Sequence, residues 1–282
     1  MRNLKIILIV FFLSQTNAFS DISEKISLKA SEFVSKLVPG EGTTEVRIDL
    51  RENYKPDYSI LAVRELDKNS SGNTFTQFSL FNTDQNNDER FNGNLGIGKR
   101  FLSDDKFMLT GGNIFFDYDD HGNIRSSLGV EARNAVLEFY GNYYKGLSDG
   151  KDEKVLDGYD LRLESQIPYI HWADIFYNTY KWDGVDRDDI EGTKLGSDML
   201  LTPHLHLEIA YDDKVKAGID DEWYANISFV HPPREGPTAK DGIAKIAWKE
   251  NKDMSDQLLT KVKRNNKIMI EFKGSATISR TD

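Results

Sequence analysis

His204 and His206 stand one residue apart, and two imidazoles on one face of a strand would make half a metal site. Thr202-Pro203-His204 carries a turn signal, so the pair is read instead as a turn histidine beside a strand histidine. Asp119-Asp120-His121 offers an acid and an imidazole that could activate water as a general base. The same Asp-His-Gly-Asn run is what a tight hairpin requires, and no second acidic site faces it. The acidic stretches Asp183–Glu191 and Asp212–Asp221 carry enough carboxylate for divalent cations. They lack the D-x-[DN]-x-[DN]-G calcium pattern and read as solvated loops, where cations would at most bridge to lipopolysaccharide. No serine elbow, phosphate loop or zinc helix is present. The reading is therefore a protein with no catalytic residue, no cofactor and no metal.

The recurring chemistry is ionic, and it follows the elements. Phe91 to Phe101 alternates strictly, with Phe91, Leu95, Ile97 and Phe101 on one face and Asn92, Asn94, Gly96, Gly98 and Arg100 on the other. A strand of this length suits a tilted membrane-crossing stave of about 9–11 residues. Similar segments recur near 44–50, 57–66, 74–82, 107–118, 124–133, 135–145, 158–166, 171–182, 194–201, 205–212 and 222–230. Short connections (Leu102–Lys106, Asn134, Ile167–Ile170, Thr202–His204) alternate with longer acidic ones (Thr83–Arg90, Gly146–Asp157, Asp183–Thr193, Asp213–Asp221). The hairpins at Arg51–Pro56 and Asp119–Asn123 are shorter than this rule wants. That alternation marks periplasmic turns and outward loops of an antiparallel transmembrane β-barrel. The fold class is all-β, a barrel of about 12 strands.

Both signs of charge recur on the polar face. An Arg on the lipid side costs about 2–4 kcal/mol at midplane, so the polar face is the lumen. The inner set is Gly96, Gly98, Arg100, Asn113, Asp117, Arg125, Glu131, Arg133, Glu138, Arg162 and Glu164, with arginines and acids able to pair. Gly96 and Gly98 leave space at the wall for an occupant. Lys99 falls on the lipid face, where its long stem can carry the charge to the interface.

Residues 1–18 read as a secretory signal peptide: Arg2 and Lys5, an apolar run from Leu4 to Leu13, then Thr16-Asn17-Ala18. Asp21 to Val38 has apolar residues at helical spacing and ends at Pro39-Gly40, giving a short amphipathic helix that packs on its own protein, with membrane association as the alternative. Domains follow as 1–18 signal, 19–42 periplasmic segment, 43–231 barrel and 232–282 linker and tail. The chain has no cysteine, so disulfides and thiol chemistry are excluded. Its net charge of −10 argues against nucleic-acid binding.

F-T-Q-F-S-L-F-N-T-D from Phe75, N-G-N-L-G-I-G-K-R-F-L-S-D-D-K-F-M-L from Asn92, G-N-I-F-F-D-Y-D-D-H-G-N from Gly112, L-G-V-E-A-R from Leu128 and G-Y-D-L-R-L-E from Gly158 occur in order. Together they resemble the translocator barrel of inverse autotransporters, the intimin and invasin family. V-K-R-N-N-K-I-M-I-E-F from Val262 is similar to that family's linker after the barrel. The resemblance implies a C-terminal segment that re-enters the pore and leads a passenger to the surface. Met254–Lys263 would be a helix in the lumen and Lys267–Lys273 an extended thread. Met254, Leu258, Val262, Arg264, Asn265, Ile268, Ile270 and Phe272 would face the wall. The family's passenger is missing before the chain ends at Asp282, so adhesion is not implied. About twenty-five residues precede the first strand, too few for the family's peptidoglycan-binding module. Expected partners are outer-membrane lipids and lipopolysaccharide, with barrel-assembly machinery and periplasmic chaperones during biogenesis. The expectation is a non-enzymatic outer-membrane barrel that anchors and threads its own C-terminal segment. An open porin-like channel with residues 231–282 in the periplasm is the alternative, and a barrel hydrolase the third.

Overall fold

The computed structural model describes residues 17–51, 54–85, 88–215, 221–249 and 251–273. Residues 1–16 of the expected signal, the centre of the Asp213–Asp221 loop and the tail after residue 273 lie outside the described residues. A helix, α1 (Asn17–Leu37), precedes the strands β1 (Gly42–Arg51), β2 (Asp57–Asn69), β3 (Gly72–Gln85), β4 (Asp88–Leu102), β5 (Leu109–Asp119), β6 (Ile124–Arg133) and β7 (Leu137–Ser148). Then come a short β8 (Glu153–Val155), β9 (Gly158–Ile167), β10 (Ile170–Trp182), β11 (Ile190–Thr202), β12 (Leu205–Lys214), β13 (Glu222–His231) and a short β14 (Ile270–Phe272).

The twelve long strands form one closed antiparallel barrel. Closure is made by β13 on β1, from Thr44↔His231 to Arg51↔Tyr224, which leaves no open sheet edge for lipid to satisfy. The alternation fixes the phase of each wall strand. Along β4, Leu95, Ile97, Lys99 and Phe101 are exposed while Asn94, Gly96, Gly98 and Arg100 are buried. Leu128, Val130, Phe139 and Tyr143 continue the outward apolar band on β6 and β7. Lys99 keeps its ammonium 5.3 Å from the Phe101 ring, near the end of its strand.

Two features depart from the sequence reading, and a third, the short hairpin at Asp119–Asn123, agrees with it and has a physical cause. The expected loop Thr83–Arg90 is mostly strand, because pairing of β3 with β4 continues to Gln85↔Asp88. Beyond the membrane both faces of a hairpin meet water, so alternation cannot mark its end. The β5–β6 hairpin is short because Asp119 holds it closed, its Oδ1 accepting from the N–H groups of His121 and Asn123, both at 3.0 Å. The expected helix Met254–Lys263 is one 3-10 turn, Met254–Gln257, followed by irregular chain. The reason is competition for its carbonyls. Arg100 donates to the carbonyls of Leu258 and Thr260, at 2.7 and 2.8 Å, and Asn73 donates to Leu258 as well. A helix to Lys263 would pair the Leu258 carbonyl with Val262 N–H, but that N–H donates to Gln77 Oε1 instead and the carbonyl takes the stronger, charge-assisted bond from the buried guanidinium.

Gly96 and Gly98 lie on the inner face, but the occupant of their space is the wall itself. A Cβ on Gly96 would lie 2.4 Å from Phe115 Cδ1, and one on Gly98 2.4 Å from Phe75 Cζ. Those two rings pack with Leu61, Val63 and Val262 in one buried cluster. Gly96→Ala is therefore expected to force Phe115 inward and cost about 1–3 kcal/mol. Gly93→Ala, whose Cβ would meet only Leu80 at 3.5 Å, should stay within about 0.5 kcal/mol. Urea unfolding of the two variants, read by Trp fluorescence, checks the contrast.

Candidate functional site

The lumen is occupied by the chain's own C-terminal segment. After β13 the chain runs along the short-turn end, where Arg234 N–H donates to Pro203 O and Tyr169 N–H to Ala247 O. It enters beside the β4–β5 turn: Met254 N–H donates to Lys106 O, and Met254 and Leu258 pack with Leu102 and Leu109. Asp253, at this mouth, caps the 3-10 turn, and the hydrogen bonds from Ser255 hold its carboxyl below the usual carboxylate range. The segment leaves at the opposite end, where β14 pairs antiparallel with β8, from Ile270↔Val155 to Phe272↔Glu153. Residues 254–272 thus run from the short-turn end to the long-loop end of the barrel.

The wall grips the backbone of this thread as well as its side chains. Arg125 donates to the carbonyls of Asn265 and Lys267, both at 2.8 Å. Asn142 donates to Lys263 O and Asn94 to Asn266 O. Gln77 Oε1 accepts from Val262 N–H and the Tyr144 hydroxyl from Asn265 N–H, at 2.8 and 2.7 Å. An extended segment cannot satisfy its own N–H and C=O groups, and away from water each orphan is costly. The polar inner faces of β3 to β7 supply the missing partners.

Ion pairs set the register. Arg264 makes two hydrogen bonds to Asp117, at 2.6 and 2.9 Å, and the same carboxylate accepts from Arg125 Nε at 2.8 Å. All three side chains are buried. Lys261 meets Glu45 and Lys263 meets Glu164, each at 2.6 Å, while Lys267 meets Asp57 at 2.7 Å. The thread presents Lys261, Lys263, Arg264 and Lys267, and the wall answers each of these four cations with a carboxylate.

The sequence-derived residues divide by role. Arg100, Asp117, Arg125, Arg133, Glu138 and Glu164 bind the thread directly; Arg133 reaches Thr260 Oγ1 and Gln257 Oε1, at 2.7 and 3.1 Å. Glu131 orients Arg100 through a 2.6 Å bond to its Nε. Arg162 points elsewhere, pairing with Glu164 and Glu208 and lying 3.5 Å over the Phe176 ring. Asn113 sits beside Gly98 and Gly129 in the wall. On the thread, Met254, Leu258, Val262 and Ile268 are buried, as is the side chain of Arg264, and Asn265 is held through its backbone by Tyr144 and Arg125. Ile270 and Phe272 belong to β14. Sequence reasoning missed Lys261, Lys263 and Lys267, although the basic run K-V-K-R opposite an acidic chain was a usable signal. Asn94 was read on the polar face, yet none of Asn73, Gln77, Asn94, Asn142 and Tyr144, all of which the strand alternation places inward, was singled out as a contact to the thread.

The thread lies against β2 to β7, and a cavity of about 620 Å³ remains beside it. Its lining includes Arg47, Arg162, Lys194, Glu208, Asp212 and Tyr224. The two histidines diverge. His204 Nδ1 lies 3.0 Å from Ser27 Oγ of α1 and 2.8 Å from Val230 O, while His206 faces Asp198 in the lumen at 3.5 Å. His121 lies 3.0 Å from Asp120 on an exposed hairpin, and Asp119 is engaged in closing that turn.

The sequence model of the family described as "Inverse autotransporter, beta-domain" matches residues 13–266. No curated protein matches the chain. One solved structure, described as "Unveiling the Mechanism Behind the in-meso Crystallization of Membrane Proteins", is similar at 19% identity and a TM-score of 0.66, covering 82% of this chain and 99% of that one. A KdgM porin is similar at 6% identity and a TM-score of 0.46, covering 66% of this chain and 98% of its own. The first likeness supports the fold. With the family match, the closed barrel and its outward apolar band, the chain belongs to the inverse autotransporter β-domain family and is an outer-membrane protein.

Proposed function

We propose that the barrel anchors the chain in the outer membrane and holds its C-terminal segment threaded through the pore toward the cell surface, without catalysing a reaction. The observation that carries this reading is the double grip of Arg100 and Arg125, each of which binds two backbone carbonyls of the thread. Backbone-directed donors hold an extended chain whatever its side chains, and the ion pairs to Asp117, Glu164 and Glu45 then stop it at one register. An even number of strands returns the chain to the short-turn side after β13, so a segment reaching the long loops must pass through the pore. At the exit the Glu271 carboxylate accepts from the N–H groups of Val185 and Asp186, at 3.0 and 2.9 Å, which ties the thread to the outer loop between β10 and β11.

Protease added to intact cells should remove a tag placed after Asp282 and also cut a tag inserted between residues 183 and 193. A tag after Asp282 that stays protected while the loop tag is cut would defeat the threading. Asp117→Asn leaves Arg125 and Arg264 buried side by side without their shared counter-charge, at an expected cost of about 3–5 kcal/mol in urea unfolding. Lys106→Ala removes an exposed pair to Asp253 and should cost less than about 1 kcal/mol. The cavity beside the thread supports a second reading, an ion-conducting channel. In planar bilayers the wild type should pass little current, and Arg264→Glu, which sets a carboxylate against Asp117, should raise it several-fold. A large wild-type current unchanged by that substitution would favour the channel.

A further inference from the structure

The helix α1 is built in four faces, and only one of them is used by the barrel. Ser23, Ser27 and Val34 are buried. They lie on the side that meets β1, β13 and the turn carrying His204, which Ser27 contacts. At about 100° per residue, a quarter-turn away lie Ile22, Ile26, Phe33 and Leu37, which are 50%, 38%, 58% and 62% exposed. Beyond that stripe come Lys25, Lys29 and Lys36, flanked by Asp21 and Glu32, all exposed, and the remaining face carries Glu24, Ser31 and Ser35. Leu28, 37% exposed, is the exception on the polar side.

The place of the helix gives these faces directions. On β2, Leu61 and Val63 point into the lumen cluster, so Arg64 between them and the next pair points outward. Arg64 is nonetheless buried: it donates to Val38 O just past the end of α1, to Thr43 O and to Thr44 Oγ1, each at 3.0 Å. The helix end therefore lies on the outer side of the barrel wall, at its short-turn rim, where the outward apolar band of the barrel begins. A water-facing row of four large apolar residues is unfavourable there, and a basic row beside it matches phosphate.

We propose that α1 is an interfacial anchor lying in the periplasmic leaflet of the outer membrane. Ile22, Ile26, Phe33 and Leu37 enter the boundary of headgroups and acyl chains, continuous with the barrel's lipid-facing band. Lys25, Lys29 and Lys36 point away from the wall into the phosphate layer, and the Glu24–Ser35 face meets the periplasm.

The absence of native cysteine makes the test direct. Phe33→Cys and Ser35→Cys, each in the full chain, are labelled with an environment-sensitive fluorophore and folded into phosphatidylethanolamine–phosphatidylglycerol vesicles. The heat-sensitive gel mobility of a folded barrel verifies each variant. The Phe33 probe should shift to the blue and be quenched by lipids brominated on their acyl chains. The Ser35 probe should be quenched by aqueous iodide and not by those lipids. Equal iodide quenching at both positions would overturn the proposal. So would efficient oxidation of unlabelled Phe33→Cys to a disulfide-linked dimer in the vesicles, which would make a second copy the occupant of the stripe. Adding Lys25→Gln, Lys29→Gln and Lys36→Gln should reduce quenching of the Phe33 probe by the brominated lipids, and unchanged quenching would remove the lysines from the anchor.

Discussion

One carboxylate, Asp117, stands between two buried guanidiniums, Arg125 of the wall and Arg264 of the thread. Neither arginine is sustainable in the lumen without it, because a charge withdrawn from water needs a close partner of opposite sign. Arg125 in turn uses its remaining donors on the carbonyls of Asn265 and Lys267, so the pair that neutralises the wall also positions the thread. Remove the thread and Asp117, Glu164 and Glu45 each lose a cation. The inner wall and the C-terminal segment are complementary halves of one electrostatic structure, and the bonds from Arg100 and Arg125 to the segment's carbonyls explain why it is irregular rather than helical.

The outside of the same strands obeys the opposite rule. Lipid offers no hydrogen bonds, so every backbone group there is paired along the ladder and the outward side chains are apolar. The period of two along each strand separates the two environments by a single residue. Gly96 and Gly98 show how narrow the tolerance is: their missing side chains admit the Phe115 and Phe75 rings, and those rings form the surface against which Val262 rests.

Strand alternation made the barrel legible in the sequence, because each wall residue meets either lipid or lumen and the pattern records the choice. The inner positions of Arg100, Asp117 and Arg125 followed from the same phase. Pairing across space was not legible. Nothing local in Glu153–Val155 marks it as the partner of Ile270–Phe272, since both are three-residue strands inside loop-like composition. Met254, Leu258 and Val262 stand four residues apart, as one face of a helix would place them, yet carbonyls in this segment are claimed by Arg100 and Asn73 from elsewhere in the chain. Local periodicity cannot report that competition. Arg162 shares its inner phase with the thread-binding residues and differs only in lying toward the side where the cavity remains.

Threading is tested most directly at the exit. Val155→Cys and Ile270→Cys, paired across β8 and β14, would be the only two cysteines in the full chain. Intact cells carrying this double variant are treated with a mild oxidant and the protein is resolved without reductant. Passage of the thread through the pore predicts an intramolecular disulfide, seen as a shifted monomer whose thiols no longer react with maleimide. Two thiols that stay free and react independently would contradict it.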